Sequence, residues 1–185
     1  MVKALSPYQR HVERWKTCDS CTYCQERNNV VFARGDIPAN VLFMAEGPGD
    51  TEDLEGIPLI GPAGGLIDQI VWQVDQRLEF EYTRAFANTI GCIPKKGGVK
   101  IGEPGLDELE ACQEKMKEIV GLVNPDLLVL VGRVAQEWCP TFFPEIPQAK
   151  MIHPAAILKG PRYQRDAAIQ ISIENLEAAL NRHFS

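Results

Sequence analysis

The sequence predicts a three-layer α/β/α fold with a central parallel sheet of about four strands. Short apolar runs alternate along the chain with segments whose apolar residues recur at helical spacing. The clearest runs, Val41–Ala45 and Asp126–Val131, are apolar almost throughout, which is typical of strands buried on both faces of a parallel sheet. A strand–helix order repeated four times favours helices on both sides of the sheet.

The composition indicates one ordinary domain spanning residues 1–185, with 45% hydrophobic and 24% charged residues. No apolar run reaches membrane-spanning length and the N-terminus lacks a hydrophobic signal core, so we expect a cytoplasmic protein without a membrane partner. The formal net charge of −6 argues against a broad nucleic-acid surface but leaves room for a local basic rim.

The first half of the chain supplies two helices and two strands, with a third short strand at residues 29–32. Ser6 followed by Pro7 is a typical start for the first helix, at residues 6–16. In order, the other predicted elements are the strand Val41–Ala45, the helix Gly64–Arg77, the strand Ala85–Ile90 and a loop from Pro94 to Gly105.

The second half completes the alternation. Asp107, with Glu110 three residues on, predicts a helix that begins with a capping box and ends before Asn124. The remaining predicted elements are the strand Asp126–Val131, a short helix from Gly132 to about Trp138, the strand Lys150–Ile152 and a final helix of roughly Tyr163–Asn181.

A glycine-rich loop follows the first strand and reads Glu46-Gly47-Pro48-Gly49. Open α/β sheets bind ligands at the carboxyl ends of their strands, where glycines let the backbone approach a ligand and proline stiffens the turn. The acidic residues that follow, Asp50, Glu52 and Asp53, are expected to be solvated or capping groups.

Polar side chains also end two other strands. Since strand ends converge in this architecture, Glu46, Asn88 and His153 are expected to face one crevice, although each alone fits a structural role as well. Four basic residues surround His153 and fit either phosphate binding or an ordinary solvated face: Lys150, Lys159, Arg162 and Arg165.

The six cysteines indicate ligation or buried thiols rather than a disulfide framework. Cys18, Cys21 and Cys24 form a C-x2-C-x2-C run, with Cys92 and Cys112 more distant. Such a set suits a tetrahedral zinc or a four-iron cluster, and spacing does not choose between them.

Several ordered motifs resemble those of the family 4 uracil-DNA glycosylases, over about residues 15–180. AEGPGDTED is similar to the family's first motif, and GIPLIGPAGGL to G-x-P-F-V-G-x-A-G-x-L. Asn88-Thr-Ile-Gly-Cys92 resembles N-x-V-K-C, and His153-Pro154-Ala155 matches the second motif.

The resemblance implies a structural 4Fe-4S cluster that ties the N-terminal segment to the loop after Cys92. Aligning Arg27 and the VVF after it selects Cys18 and Cys21 as ligands, joined by Cys92 and Cys112, with Cys24 as an alternative ligand.

The resemblance also implies hydrolysis of the N-glycosidic bond of uracil in DNA, in base-excision repair, by a monomer. Asn88 would read the flipped uracil, His153 would donate toward the charge that develops on the base, and Glu46 would orient water or stabilise the sugar cation. The implied substrate contacts also include Gly47, Pro48, Gly49, Asp53 and Leu59. Ile157 or Leu158 would act as a wedge in the duplex.

The chain departs from the family pattern at Leu59, where an aromatic residue stacks on uracil, and at Gly91, where a lysine is usual. Ala45 stands where glycine is usual, and Ala33-Arg34 replaces Gly-Glu. The Leu59 departure favours an alternative hypothesis, a glycosylase-like module that binds DNA or uracil with weak or no turnover. A third hypothesis is an unrelated zinc-stabilised α/β domain, since the cysteine spacing also suits zinc.

Overall fold

A computed structural model describes residues 4–100 and 102–185, in which a five-stranded sheet lies between two layers of helices. The strand order is β1–β3–β2–β6–β7, and only β1 runs antiparallel to its neighbour. The strands of this sheet are β1 (Ala33–Gly35), β2 (Val41–Ala45), β3 (Arg84–Asn88), β6 (Leu127–Val131) and β7 (Gln148–Met151). A separate hairpin is formed by β4 (Lys95–Lys96) and β5 (Val99–Lys100).

Seven α-helices occur in the described ranges, together with a 3-10 turn at Thr22–Gln25. They are α1 (Pro7–Trp15), α2 (Asp50–Glu55), α3 (Pro62–Asp75), α4 (Leu106–Val123), α5 (Arg133–Phe142), α6 (Pro154–Lys159) and α7 (Arg162–Phe184). Within this part of the chain, no helix combines the length and the apolar character needed to cross a bilayer.

The sheet confirms the predicted layers and its four parallel strands, and adds an antiparallel edge strand. The prediction of a strand at residues 29–32 was wrong by position, since the pairing residues are Ala33–Gly35. Val30, Val31 and Phe32 are buried without belonging to a strand. Their apolar character reports burial, which irregular backbone also provides when its polar groups find partners.

Two helix predictions need correction. The capping box at Asp107 was wrong, because α4 begins at Leu106 after Gly105 and Asp107 lies inside the first turn. There its carboxylate complements the positive end of the helix. The short helices α2 and α6 were not predicted, because six residues hold too little periodicity to register as a helix. The predicted loop Pro94–Gly105 contains the hairpin, and its residue 101 lies outside the described residues.

Each central strand is buried on both faces. Along β2, Leu42 and Met44 belong to a core shared with α4 and α5, whereas Phe43 packs in the core beneath α3 and α7. This alternation follows from the two-residue period of a strand and explains the continuous apolar runs. Because both faces are covered, ligands can reach the sheet only at its ends.

Candidate active site

A cavity of about 830 Å³ opens at the carboxyl end of β2. Three segments form most of its wall: the loop after β2, the loop before α3 and the start of α6. The residues that line these walls are residues 46–52, Leu59 with residues 61–63, and His153 with Ala155, Ala156, Leu158 and Lys159. A second cavity, of about 400 Å³, lies between α1 and α4.

Glu46 is the first residue after β2 and lies in the cavity wall. Its carbonyl oxygen accepts hydrogen bonds from Thr89 Oγ1 at 2.6 Å and from the Ile90 amide at 3.1 Å. The next residue must be small, because a Cβ on Gly47 would lie 2.7 Å from Ile90 Cγ1. The backbone that carries the Glu46 carboxylate is therefore fixed against the end of β3.

Glu52 joins the two glycine-rich loops. Its buried carboxylate accepts hydrogen bonds from the amides of Gly49 at 3.0 Å, Ile60 at 3.0 Å and Gly61 at 2.7 Å. Of the two roles expected for it, capping is confirmed and solvation is wrong. Its importance for the cavity was missed, although its position three residues after Gly49 is the spacing of a capping box.

Asp53, predicted to contact substrate, is instead fully buried outside the cavity lining. Its carboxylate accepts hydrogen bonds from the Asn28 amide at 2.9 Å and from Asn28 Nδ2 at 2.7 Å. It therefore braces α2 against the N-terminal segment.

Leu59 lines the cavity in a left-handed backbone conformation, with φ of 54°. Arg34 supports it: Nη2 donates to the Leu59 carbonyl at 3.1 Å, and Nε donates to the Pro58 carbonyl at 2.9 Å. The same guanidinium lies 3.9 Å over the Phe86 ring and pairs with Asp68 at 2.6 Å.

Asn88 ends β3 directly beside Ala45, the residue that precedes Glu46. Its side chain shares a sheet face with Phe86, because alternate strand residues point the same way. It is only 8% exposed and is not among the residues that line the cavity, so of the three side chains expected to face one crevice only Glu46 and His153 lie in its wall. Neither Oδ1 nor Nδ2 of Asn88 has a hydrogen-bond partner in the described protein, which is unusual for a buried amide.

His153 lies in the cavity wall and caps the N-terminus of α6. The Ala155 amide donates to Nδ1 at 3.1 Å, so the proton of the neutral ring lies on Nε2. Burial and, to a lesser degree, Lys159 lower the pKa of His153 below its ordinary value of 6.5. Gly132 makes room for the ring, since a Cβ there would lie 2.9 Å from His153 Cδ2.

The basic residues around His153 do not form one group. Lys159 lines the cavity, whereas Lys150 and Arg162 are exposed outside its lining. Arg165 donates from Nε to the Gly160 carbonyl at 3.2 Å. For the wedge, Ile157 is excluded because it is buried in the core, which leaves Leu158 at the cavity wall.

Four of the six cysteines are neighbours. Cys92 and Cys112 are buried in the core that Cys18 and Cys21 also contact. The pKa of Cys92 is raised to about 11, mainly by burial, with Lys115 and Arg27 lowering it and charges on Cys112 and Cys21 raising it.

The other two thiols differ from this group. Cys139 is buried, and burial alone raises its pKa to about 12. Cys24 is half-buried in the 3-10 turn. Over the described residues, no three His, Cys, Asp or Glu side chains are close enough together to hold one metal ion.

Buried positive charge accompanies the four neighbouring thiols. Arg27 Nη1 is buried without a hydrogen-bond partner in the described protein, and Arg27 lowers the pKa of Cys18 and Cys92. Arg27 as a whole is half-buried, but its buried Nη1 lacks an acceptor. Thiolates that hold a metal cluster would supply negative charge beside it, so Arg27 and these cysteines are compatible with such a group.

This fold and site define an α/β protein with a cavity at the carboxyl ends of parallel strands and with cysteines buried in the core on one face of the sheet. The sequence profile of the Uracil DNA glycosylase superfamily matches residues 32–177. The chain therefore belongs to that superfamily.

Its relatives include type-4 uracil-DNA glycosylases, which confirms the resemblance noted from the motifs. The Thermotoga maritima protein is 32% identical over 123 residues, covering 66% of this chain and 60% of the relative. The Sulfurisphaera tokodaii protein is 31% identical over 118 residues, covering 63% and 50%. The Archaeoglobus fulgidus protein is 24% identical over 171 residues, covering 81% and 82%. The chain thus spans only about half to three fifths of the first two relatives.

Proposed function

We propose that this protein hydrolyses the N-glycosidic bond of uracil in DNA, releasing uracil and leaving an abasic site. The observation that carries the proposal is the buried, unpartnered amide of Asn88, one strand away from Glu46. An amide offers one acceptor oxygen and two N–H donors, which match the N3–H and the O4 carbonyl of uracil. Names of relatives at 24–32% identity point to the same substrate.

His153 would stabilise the leaving group. As the C1′–N1 bond breaks, its electron pair passes to the uracil ring and negative charge collects on the O2 carbonyl. The neutral imidazole keeps a proton on Nε2, because Nδ1 is occupied by the Ala155 amide. Nε2–H can therefore donate to the developing charge, the kind of interaction that strengthens in the transition state.

Glu46 would act on the other partner of the reaction. Its carboxylate would stabilise the cationic sugar and orient a water whose oxygen bonds to C1′, while the water's proton passes to solvent through the carboxylate. A backbone held by Thr89 and Ile90 suits this role, since catalytic groups must hold their geometry. Leu59 would cover one face of the base and keep bulk water out.

DNA would approach over the rim that carries Leu158 and Lys159. A base inside a duplex cannot reach the cavity, so the target nucleotide must flip out of the stack. Lys159 can neutralise a phosphate, and Leu158 can fill the space that the flipped base leaves.

We further propose that Cys18, Cys21, Cys92 and Cys112 hold a 4Fe-4S cluster. These residues would hold the cluster through their four thiolates. When bound, the cluster would supply a covalent cross-link between the N-terminal segment and α4. The protein's own contribution is the compensating charge of Arg27 beside these thiols.

The activity is tested with an oligonucleotide that contains a single deoxyuridine, using iron-replete protein. Uracil release is expected for the native protein, with a loss of about 100-fold or more in Glu46→Gln and Asn88→Ala. Glu79→Gln, an exposed carboxylate before β3, is the matched control and should be unchanged. DNA binding without uracil release would favour a binding module. Absence of both DNA binding and uracil release would overturn the proposal.

The cofactor is tested separately by assaying iron and acid-labile sulfide. Serine substitution at any of the four proposed ligands is expected to reduce the iron content, while Cys24→Ser keeps it. Retention of iron in Cys18→Ser together with its loss in Cys24→Ser would reassign the ligand set. Zinc in place of iron would reject the cluster.

A further inference from the structure

Lys115 is a buried lysine on α4, three residues after Cys112 and only 5% exposed. Its Nζ lies 3.7 Å from Cys112 Sγ. Among residues 4–100 and 102–185, no carboxylate forms an ion pair with this ammonium. An ammonium out of contact with water and without a counter-charge is strongly disfavoured. Negative charge on the neighbouring sulfurs would compensate this ammonium.

The proposed ligand thiols surround this ammonium. Cys18, Cys21 and Cys92 lie close enough to Lys115 to feel its charge, which partly offsets the burial that raises the pKa of Cys21 and Cys92. Cys112 itself is in direct contact with Nζ. Lys115 thus acts on all four thiols, and thiolates are the form that binds metal.

Gly91 leaves the space that Lys115 occupies. A Cβ at position 91 would lie 2.3 Å from Lys115 Nζ and 2.9 Å from its Cε, closer than any side chain tolerates. A side chain at position 91 and the ammonium of Lys115 therefore exclude each other. The related motif N-x-V-K-C carries lysine at the position of Gly91, whereas in this chain the end of Lys115 from α4 fills the space beside Gly91.

We propose that Lys115 is a positioning residue that compensates the negative charge of the four cysteine thiolates and stabilises their cluster. Groups outside the ligand set tune a metal site by such charge and hydrogen-bond contacts. This inference rests on the proposed cofactor. It assigns a role to a residue that touches neither the cavity at the strand ends nor the base.

The test compares Lys115→Met, which keeps the length of the side chain and removes its charge, with Lys115→Arg, which keeps the charge. Lys117→Met on the exposed face of the same helix is the matched control. Cluster loss is followed by visible absorbance during incubation with an iron chelator, and the midpoint potential of the cluster by spectroelectrochemistry.

Lys115→Met is expected to lose iron several times faster than the native protein and to show a more negative midpoint potential, because electron addition loses a stabilising cation. Lys115→Arg and Lys117→Met should stay close to native. If Lys115→Met purifies without iron, retention by Lys115→Arg supports the inference and equal loss in both overturns it. If Lys115→Met loses iron at the native rate and has the native midpoint potential, the inference is overturned while the proposed cofactor stands. If the native protein itself contains no iron, the proposed cofactor is rejected, and the inference with it.

Discussion

Arg34 holds the backbone of Leu59 by donating a hydrogen bond from Nη2 to the Leu59 carbonyl at 3.1 Å. Leu59 has a φ of 54°, which costs a residue other than glycine on the order of 1 kcal/mol or more. Its carbonyl also packs against Gly64, where a Cβ would lie 1.8 Å from the oxygen. Arg34 and Leu59, two of the positions where this chain departs from its family's motifs, are thus in direct contact.

Removing Arg34 should loosen the wall that covers the base. Arg34→Ala leaves the Pro58 and Leu59 carbonyls without their donor, so we expect a raised KM for uracil-containing DNA with a smaller change in kcat. Steady-state kinetics on a deoxyuridine oligonucleotide measure both constants. Arg77→Ala, which breaks an exposed ion pair, is the control. A fall in kcat at constant KM would contradict this role.

An aromatic residue at position 59 should strengthen binding. Leu59→Phe would add a stacking surface worth about 1–3 kcal/mol per base, or roughly thirtyfold in affinity near the middle of that range. Free uracil binding by calorimetry and excision rates on DNA check the effect. Leu59→Met, similar in size and without a π-face, is the control, and equal affinity of the two variants would show that stacking is not what is missing.

Glu52 should matter for stability more than its position in an acidic run suggests. Glu52→Gln places an N–H donor where the amides of Gly49, Ile60 or Gly61 need an acceptor, so we expect about 1–3 kcal/mol of destabilisation. Chemical denaturation gives the free energy of unfolding. Glu55→Gln, exposed on the same helix, should have no measurable effect. Equal stability of both variants would refute the bridging role.

Activity should fall at acid pH because His153 becomes protonated. Its pKa is lowered below 6.5, so the ring is mostly neutral at pH 6.5 and protonates only at lower pH. Protonation would set an Nδ1–H against the Ala155 amide and break the cap. The ratio of kcat/KM for native protein to that for His153→Gln should be constant above pH 6.5 and fall below it. A change in kcat/KM that is centred above pH 6.5, and is seen in the native protein but not in His153→Gln, would contradict this assignment.

Sequence patterns correctly predicted which polar residues lie at the ends of strands. Glu46, Asn88 and His153 each follow or end a predicted strand, and parallel strands bring those ends to one edge of the sheet. The layers and the buried central strands were equally readable, because a strand covered on both faces leaves a continuous apolar run.

Contacts between distant segments could not be predicted from the sequence. Asp53 pairs with Asn28, and Glu52 with Gly61, through hydrogen bonds whose partners no local pattern specifies. The edge strand at residues 33–35 was misplaced for the same reason, since its pairing with β3 is a property of the sheet.

The sequence alone determined the α/β/α architecture, the glycine-rich loop after β2 and the family, because periodicity and motifs are properties of short stretches of chain. Only the tertiary structure decided which of the acidic and basic residues face the cavity and which cysteines are neighbours. It also decided that Arg34 contacts Leu59 and that Lys115 contacts the thiol of Cys112. Those outcomes depend on burial and on charge compensation between segments far apart in the chain, and both exist only once the layers have packed.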